Sequence, residues 1–250
     1  MSKILCIGAH PADCTDLAGG TLYQHSMSGD MVTTVTLTDG IFSHGSHDPI
    51  RVVRVMKREE FHKSTKIIGA TESLTLGLQD EPLIINAAVI RDLAALIVEQ
   101  KPDVVITHHP NEYAHWDHAE TGKAVCRALK TAIKFPCFLN KSNHWVPTVY
   151  FFAVAYRPES TRIGINVQAP TILIDISKAP VAVKVEAMMC FASQGHNNED
   201  KMWERMDNYE SEMGRADGLR YSEGFIQYYP LKRYLLELND DQGFYGGTKE

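Results

Sequence analysis

Two short segments of this 250-residue chain concentrate the residues that could do chemistry. The first is IGA followed by His10, Pro11, Ala12 and Asp13. The second is VVIT followed by the run His108, His109, Pro110, Asn111, Glu112, Tyr113, Ala114, His115, Trp116, Asp117 and His118. Imidazole nitrogen and carboxylate oxygen are donors that zinc takes, and a catalytic zinc site keeps one position open for water. A His–Asp pair from one strand end and a histidine from another would supply three donors and leave that position free. Singly, each residue has a plainer role. Asp13 or Asp117 can cap or charge the first turn of a helix; His10 can bond backbone at a strand end; Tyr113 and Trp116 can pack. Their joint occurrence at two equivalent strand ends is what points to a metal site.

The elements that must position these residues alternate. KILCIGA (3–9) reads as a strand, LAGGTLYQHSMSG as a helix with a glycine stop, and MVTTVTL (31–37) as a second strand. A helix is expected from about Pro49 to Ile68, closed by Gly69, and SLTLGL is a short strand. Val89, Ile90, Leu93, Leu96 and Ile97 recur at helical spacing, and Pro102 ends that helix before the strand DVVIT (103–107). Gly122, Val125, Cys126, Leu129 and Ile133 form the inner stripe of the next helix. Such alternation implies βαβ units and an α/β, Rossmann-like, mostly parallel sheet with helices on both faces. One domain over residues 1–250 is expected, with a regular core to about 135 and a less regular part from 136. In that later part TVYFFAVAY and TILIDI read as strands, with helices over 178–191 and about 199–213. In open parallel sheets ligands collect beyond the carboxyl ends of the strands, where both candidate segments lie.

Composition narrows the function classes. Hydrophobic residues at 44% and charged residues at 22% are those of a soluble globular protein. A formal net charge of −6 offers no basic excess for nucleic acid. No apolar stretch approaches the length of a membrane span, and the run after Lys3 is too short for a signal peptide. Five cysteines, an odd number without C-x-x-C spacing, favour reduced thiols and a cytoplasmic location.

HPAD followed by AGGTL, then YAHWDH after a later strand, resembles the PIG-L/LmbE-like family of zinc-dependent deacetylases, which carry AHPDDE-type and HPDH-type motifs there. REE at 58–60, KIIGA before the third strand and SQ at Ser193–Gln194 extend the match. The resemblance implies His10, Asp13 and His118 as zinc ligands and His115 as general acid or electrostatic stabiliser. It also implies Tyr113 near the substrate carbonyl, and Arg58 with Glu60 shaping the floor and mouth of the site or forming a structural ion pair. Asp117 would orient a histidine. Relatives often assemble into oligomers, so a homo-oligomer is expected, with FIQYYPLKRYLLEL as a candidate subunit contact or as packing on the chain's own core.

The sequence departs from that pattern at one point. Where the deacetylases carry the aspartate that acts as general base, this chain has Ala12, and Cys14 replaces the motif's last acid. Zinc alone can bring the pKa of bound water to about 7, but general-base help is typically worth about 10²–10⁴-fold. His44 and Asp39 after the second strand, and Glu112, are candidate replacements; a solvated polar loop is the plainer reading of His44 and His47. A branch resembling 4-oxalomesaconate hydratase also has an x-A-D form of the motif, with AGG downstream. The expectation is therefore zinc-dependent amide hydrolysis of a small polar, possibly amino-sugar, substrate. Hydration of an unsaturated di- or tricarboxylic acid is the alternative, and a catalytically silent metal binder a more distant third.

Overall fold

The computed structural model describes residues 1–42, 48–134, 143–153 and 168–230. Its first half is a run of strand–helix pairs: β1 (Lys3–Gly8), α1 (Asp13–Met27), β2 (Met31–Thr38), α2 (Ile50–Ile67), β3 (Glu72–Leu78), α3 (Ala87–Gln100), β4 (Val104–Thr107) and α4 (Trp116–Lys134). The second half adds β5 (Thr148–Phe152), β6 (Ile172–Asp175), α5 (Ala179–Met188), α6 (Glu199–Asn208), α7 (Glu210–Gly214) and β7 (Ser222–Gln227). One seven-stranded sheet runs β3-β2-β1-β4-β5-β7-β6. Its members are parallel except for β7, which pairs antiparallel with both β5 and β6. The expected α/β, mostly parallel, single-domain fold is the one observed.

Strand alternation divides the core. Leu5 and Ile7 of β1 face a cluster with Leu93, Ile97 and Val125 of α3 and α4. Ile4 and Cys6, on the opposite face, pack with Ala18 and Leu22 of α1 and Ala187 of α5. Period-two alternation thus serves two helical layers from one strand that is apolar after Lys3. Asn86 begins α3 by accepting from the backbone N–H of Ala88 and Val89, satisfying donors that a helix start leaves open.

The C-terminal elements are bound to α1 by buried charge. Glu223 of β7 accepts from the N–H of Gly20 and Thr21 and from Lys184 Nζ, which also reaches Glu210. Arg205 of α6 pairs with Asp16. Two features went beyond the sequence reading. SEGFIQ is a strand inserted between β5 and β6, so Phe225 and Ile226 pack inside the chain's own core. The expected helix over 199–213 is two helices that meet at Tyr209. Residues 231–238 of the candidate contact segment lie outside the described residues, as do His44 and His47 within 43–47.

Candidate metal centre

The chain steps from β1 outward to β2 and β3, then returns to place β4 on β1's other side. That reversal opens a crevice between the carboxyl ends of β1 and β4, where ligands bind in open α/β sheets. Ile7 pairs with Thr107, so His10 and His108 leave the sheet close together. Two glycines permit the close approach. A Cβ on Gly8 would lie 2.8 Å from Asp13 Cβ, and one on Gly122 would lie 2.4 Å from the His108 carbonyl oxygen. The first lets the start of α1 fold back over β1; the second lets α4 lie against the end of β4.

Three donor atoms converge there. His10 Nδ1 is 3.3 Å from His118 Nε2 and 3.6 Å from Asp13 Oδ2, and His118 Nε2 is 3.5 Å from Asp13 Oδ2. A tetrahedral ion with bonds of about 2.0–2.2 Å, the range for imidazole and carboxylate on zinc, holds its donors roughly 3.3–3.6 Å apart. The triangle fits such an ion. Carboxylates behind the rings fix which nitrogen faces it. Asp117 Oδ2 lies 3.2 Å from His10 Nε2, and Glu112 Oε1 lies 2.7 Å from His118 Nδ1. An ionised carboxylate only accepts, so those nitrogens carry hydrogen, and in the neutral, ion-binding form of each ring the lone pair lies inward, at His10 Nδ1 and His118 Nε2.

The electrostatics agree with a cation site. Burial opposes charge on His10, but Asp13 and Asp117 outweigh it and raise its pKa to about 9. Burial likewise opposes charge on His118, where Asp13 and Glu112 raise it to about 10. Burial would raise Glu112, yet hydrogen bonds from His108 and His118 hold it at about 2. Asp117, against the same burial, is held well below the usual carboxylate range by His10 and the backbone N–H of Glu81 and Leu83.

Around this triangle the other sequence-singled residues fall in distinct places. His115 stacks on His118 with centroids 4.6 Å apart and meets His10 edge-on at 4.7 Å. Its Nδ1 accepts from the Asp117 N–H, and its Nε2 lies 3.5 Å from Glu81 Oε1. Burial and the neighbouring His118 lower its pKa. Tyr113 is half-buried with its hydroxyl inside. Glu112 stands behind His118 and His108, with a carboxylate oxygen on each. Arg58 binds the buried Asp39 through two nitrogens, joined by Arg54 at 2.8 Å. Glu60 does not meet Arg58's partner; it accepts from the N–H and hydroxyl of Ser193 at 2.8 and 2.6 Å. Cys14 is buried, its Sγ against the carbonyls of Cys6 and Val35. Ala12 is buried in an apolar cluster with Phe61, Ile176 and Met188.

One residue that sequence reasoning passed over stands among the donors. His108 is wholly buried, its Nε2 2.9 Å from Asp13 Oδ2. Donor atoms of Asp13, His108 and His118, and likewise of His10, His115 and His118, lie within 4.8 Å of one another. Its position as the first residue after β4, level with the end of β1, was the available signal.

The fold is an α/β sheet whose strand ends carry His and Asp donors that could hold a metal ion. The chain belongs to the PIG-L family, described as GlcNAc-PI de-N-acetylase, which matches residues 5–129. It is 27% identical over 243 residues to diacetylchitobiose deacetylase of Thermococcus kodakarensis, covering 92% of this chain and 84% of that one. It is 27% identical over 197 residues to a probable N-acetyl-alpha-D-glucosaminyl L-malate deacetylase 2 of Bacillus anthracis, covering 76% and 80%. Among solved structures, the 4-carboxy-2-hydroxymuconate hydratase GalB of Pseudomonas putida KT2440 matches with TM-score 0.78 and 22% identity over 95% of this chain and 100% of that one. The N,N'-diacetylchitobiose deacetylase of Pyrococcus horikoshii matches with TM-score 0.76 and 24% identity, covering 90% and 83%. These structural likenesses establish the fold.

Proposed function

We propose that the protein is a zinc-dependent de-N-acetylase of a small polar substrate, an N-acetylated amino sugar being the favoured class. The observation that carries this is the donor triangle of His10 Nδ1, Asp13 Oδ2 and His118 Nε2, with both imidazole tautomers set by carboxylates behind them. Family membership and the named activities of the relatives support the reaction class. Zinc, when bound by these residues, acidifies a bound water and polarises the acyl oxygen.

The chain's own groups then handle the protons. Amide hydrolysis adds water oxygen to the acyl carbon, breaks the C–N bond and needs a proton delivered to the departing nitrogen. Asp39 is clamped by Arg54 and Arg58, and Glu112 by two histidines, which leaves neither free to take a proton. His115 Nδ1 accepts from the Asp117 N–H, so Nε2 carries the ring hydrogen, half-exposed and near Glu81. His115 Nε2–H would donate to the acyl oxygen as charge develops there, while the proton lost by the attacking water passes to the departing amine. The half-exposed guanidinium groups of Arg54 and Arg58 keep donors available for substrate hydroxyls or anionic groups, and Tyr113 remains a candidate for the substrate carbonyl.

Ala12 favours a second reading, hydration of an unsaturated polycarboxylate, because no carboxylate stands at that position. No helix of the described residues is long and apolar enough to cross a membrane. A cytoplasmic setting suits the free cysteines Cys6, Cys14, Cys126 and Cys190, and a homo-oligomer remains part of the proposal. The test compares zinc-loaded protein on N-acetylated amino sugars and on an unsaturated hydroxy-polycarboxylate. Acetate release from the first supports this reading; turnover of the second alone overturns it.

A further inference from the structure

His108 takes no part in the proposed reaction, yet it is wholly buried among the donors. Glu112, also buried, touches two rings at once. Its Oε1 accepts from His118 Nδ1 at 2.7 Å, and its Oε2 lies 3.2 Å from His108 Nδ1. The other nitrogen of His108, Nε2, lies 2.9 Å from Asp13 Oδ2. The two rings stack at 3.9 Å with planes 22° apart. With hydrogen on both His108 nitrogens, Asp13 from α1 and His118 from α4 are joined by an unbroken run, Asp13–His108–Glu112–His118; with hydrogen on Nδ1 alone, Nε2 accepts from the Ala9 N–H at 3.3 Å.

We infer that Glu112 and His108 are positioning residues for the metal. Glu112 fixes the plane and tautomer of His118, and His108 extends the same constraint to Asp13. The inference rests on the His10–Asp13–His118 cation site proposed above, and it puts Glu112 behind the donors, where it does not meet substrate. The physical reason is directional. A ring free to turn about its χ angles presents its lone pair over a wide arc; a ring with Nδ1 tied to a buried carboxylate presents it along one line. Asp13 needs the same restraint because its Oδ2 also accepts from the N–H of Ala9 and His10, each at 2.8 Å. With His108 as a further partner, the carboxylate is gripped from the sheet side and from the side of α4. The turn carrying Glu112 is held independently: its N–H donates to the His109 carbonyl at 3.0 Å. An isosteric change at Glu112 therefore alters the ring contacts and leaves the backbone in place.

The experiment is zinc titration of the full-length protein against a chromophoric chelator, for wild type, Glu112→Gln and His108→Asn, with urea unfolding of the metal-free forms alongside. The amide of Glu112→Gln offers one acceptor and one donor group, so one ring loses its partner. Affinity should fall about 10–100-fold, as for other groups that orient metal-binding histidines. Ring-nitrogen NMR of the metal-free proteins, at a pH where His118 is neutral, should show its one hydrogen on Nδ1 in wild type and a mixture of tautomers in Glu112→Gln. A purely structural role would lower the unfolding midpoint and leave both the affinity of the folded protein and the tautomer unchanged, which overturns the inference. Should His108→Asn not fold, Glu112→Gln decides alone. Absence of stoichiometric zinc in wild type overturns the site itself and this inference with it. Tight zinc binding in wild type and equally tight binding in Glu112→Gln overturns the inference alone.

Discussion

Asp117 serves His10 and the loop after β3 at the same time, and substitution there separates the two tasks. Its Oδ2 lies 3.2 Å from His10 Nε2 and accepts from the Glu81 N–H at 2.9 Å, while Oδ1 accepts from the Leu83 N–H at 2.8 Å. In Asp117→Asn one oxygen becomes an amide nitrogen that must face a donor. Turning the nitrogen toward Leu83 sets one N–H against it; turning it toward His10 sets two. The first orientation is the less costly, so Asn should keep its oxygen on His10. The loss is then one buried hydrogen bond to a charged acceptor, about 1.5–3 kcal/mol of folding stability, with the His10 tautomer retained. Asp117→Ala loses all three contacts. It should cost more stability and weaken zinc about 10–100-fold, because His10 Nδ1 no longer faces the ion along one line. Urea unfolding of metal-free protein reads the first quantity, and chelator competition the second. Equal zinc affinity in wild type and Asp117→Ala would refute the orienting role.

Three further outcomes follow from the same geometry. His115→Ala should lower turnover about 10²–10³-fold, the usual worth of one donor aimed at developing charge, with zinc stoichiometry intact by metal analysis; lost zinc or unchanged turnover contradicts the assignment. Ala12→Asp should raise acetate release from an N-acetylated amino sugar by supplying a carboxylate next to Asp13, while lowering the unfolding midpoint because position 12 packs against Phe61 and Met188; lowered or unchanged hydrolysis would favour the hydration reading. Arg205→Met tests the tie between α6 and α1. Burial raises the Asp16 pKa, but Arg205 outweighs it and leaves the folded value below the ordinary 3.8. The stabilisation is thus complete above that pH and lost as pH falls through the folded value. Wild type should exceed Arg205→Met by about 1.5–3 kcal/mol at pH 7, a gap that closes on acidification below pH 4; a gap that persists there contradicts the pairing.

Much of this was legible because local rules and global fold agree from β1 to α4. Apolar runs such as KILCIG and VVIT could only be strands buried on both faces, and the Gly and Pro stops bounded the helices. β7 was not legible: SEGFIQ is short, and its place between β5 and β6 depends on pairings with residues some 50 to 80 positions away. Arg58 and Glu60 show what helical geometry adds. Residues two apart do not share a helix face, whereas Arg54 and Arg58, four apart, do, and both reach Asp39. His108 is one of four histidines in the strand-end run, and only register with β1 singles it out at the crevice. Glu112 and Asp117 are acids whose sequence positions say little. Only the folded chain shows that each stands behind a different histidine.

The most direct measurement is the anomalous diffraction of zinc-loaded crystals on either side of the zinc absorption edge. One peak is expected, about 2.0–2.2 Å from His10 Nδ1, an Asp13 carboxylate oxygen and His118 Nε2, with His108 and His115 outside bonding distance. A peak bound instead by Asp13, His108 and His118, or by His10, His115 and His118, would contradict the donor set. No peak at these strand ends would contradict the metal site itself.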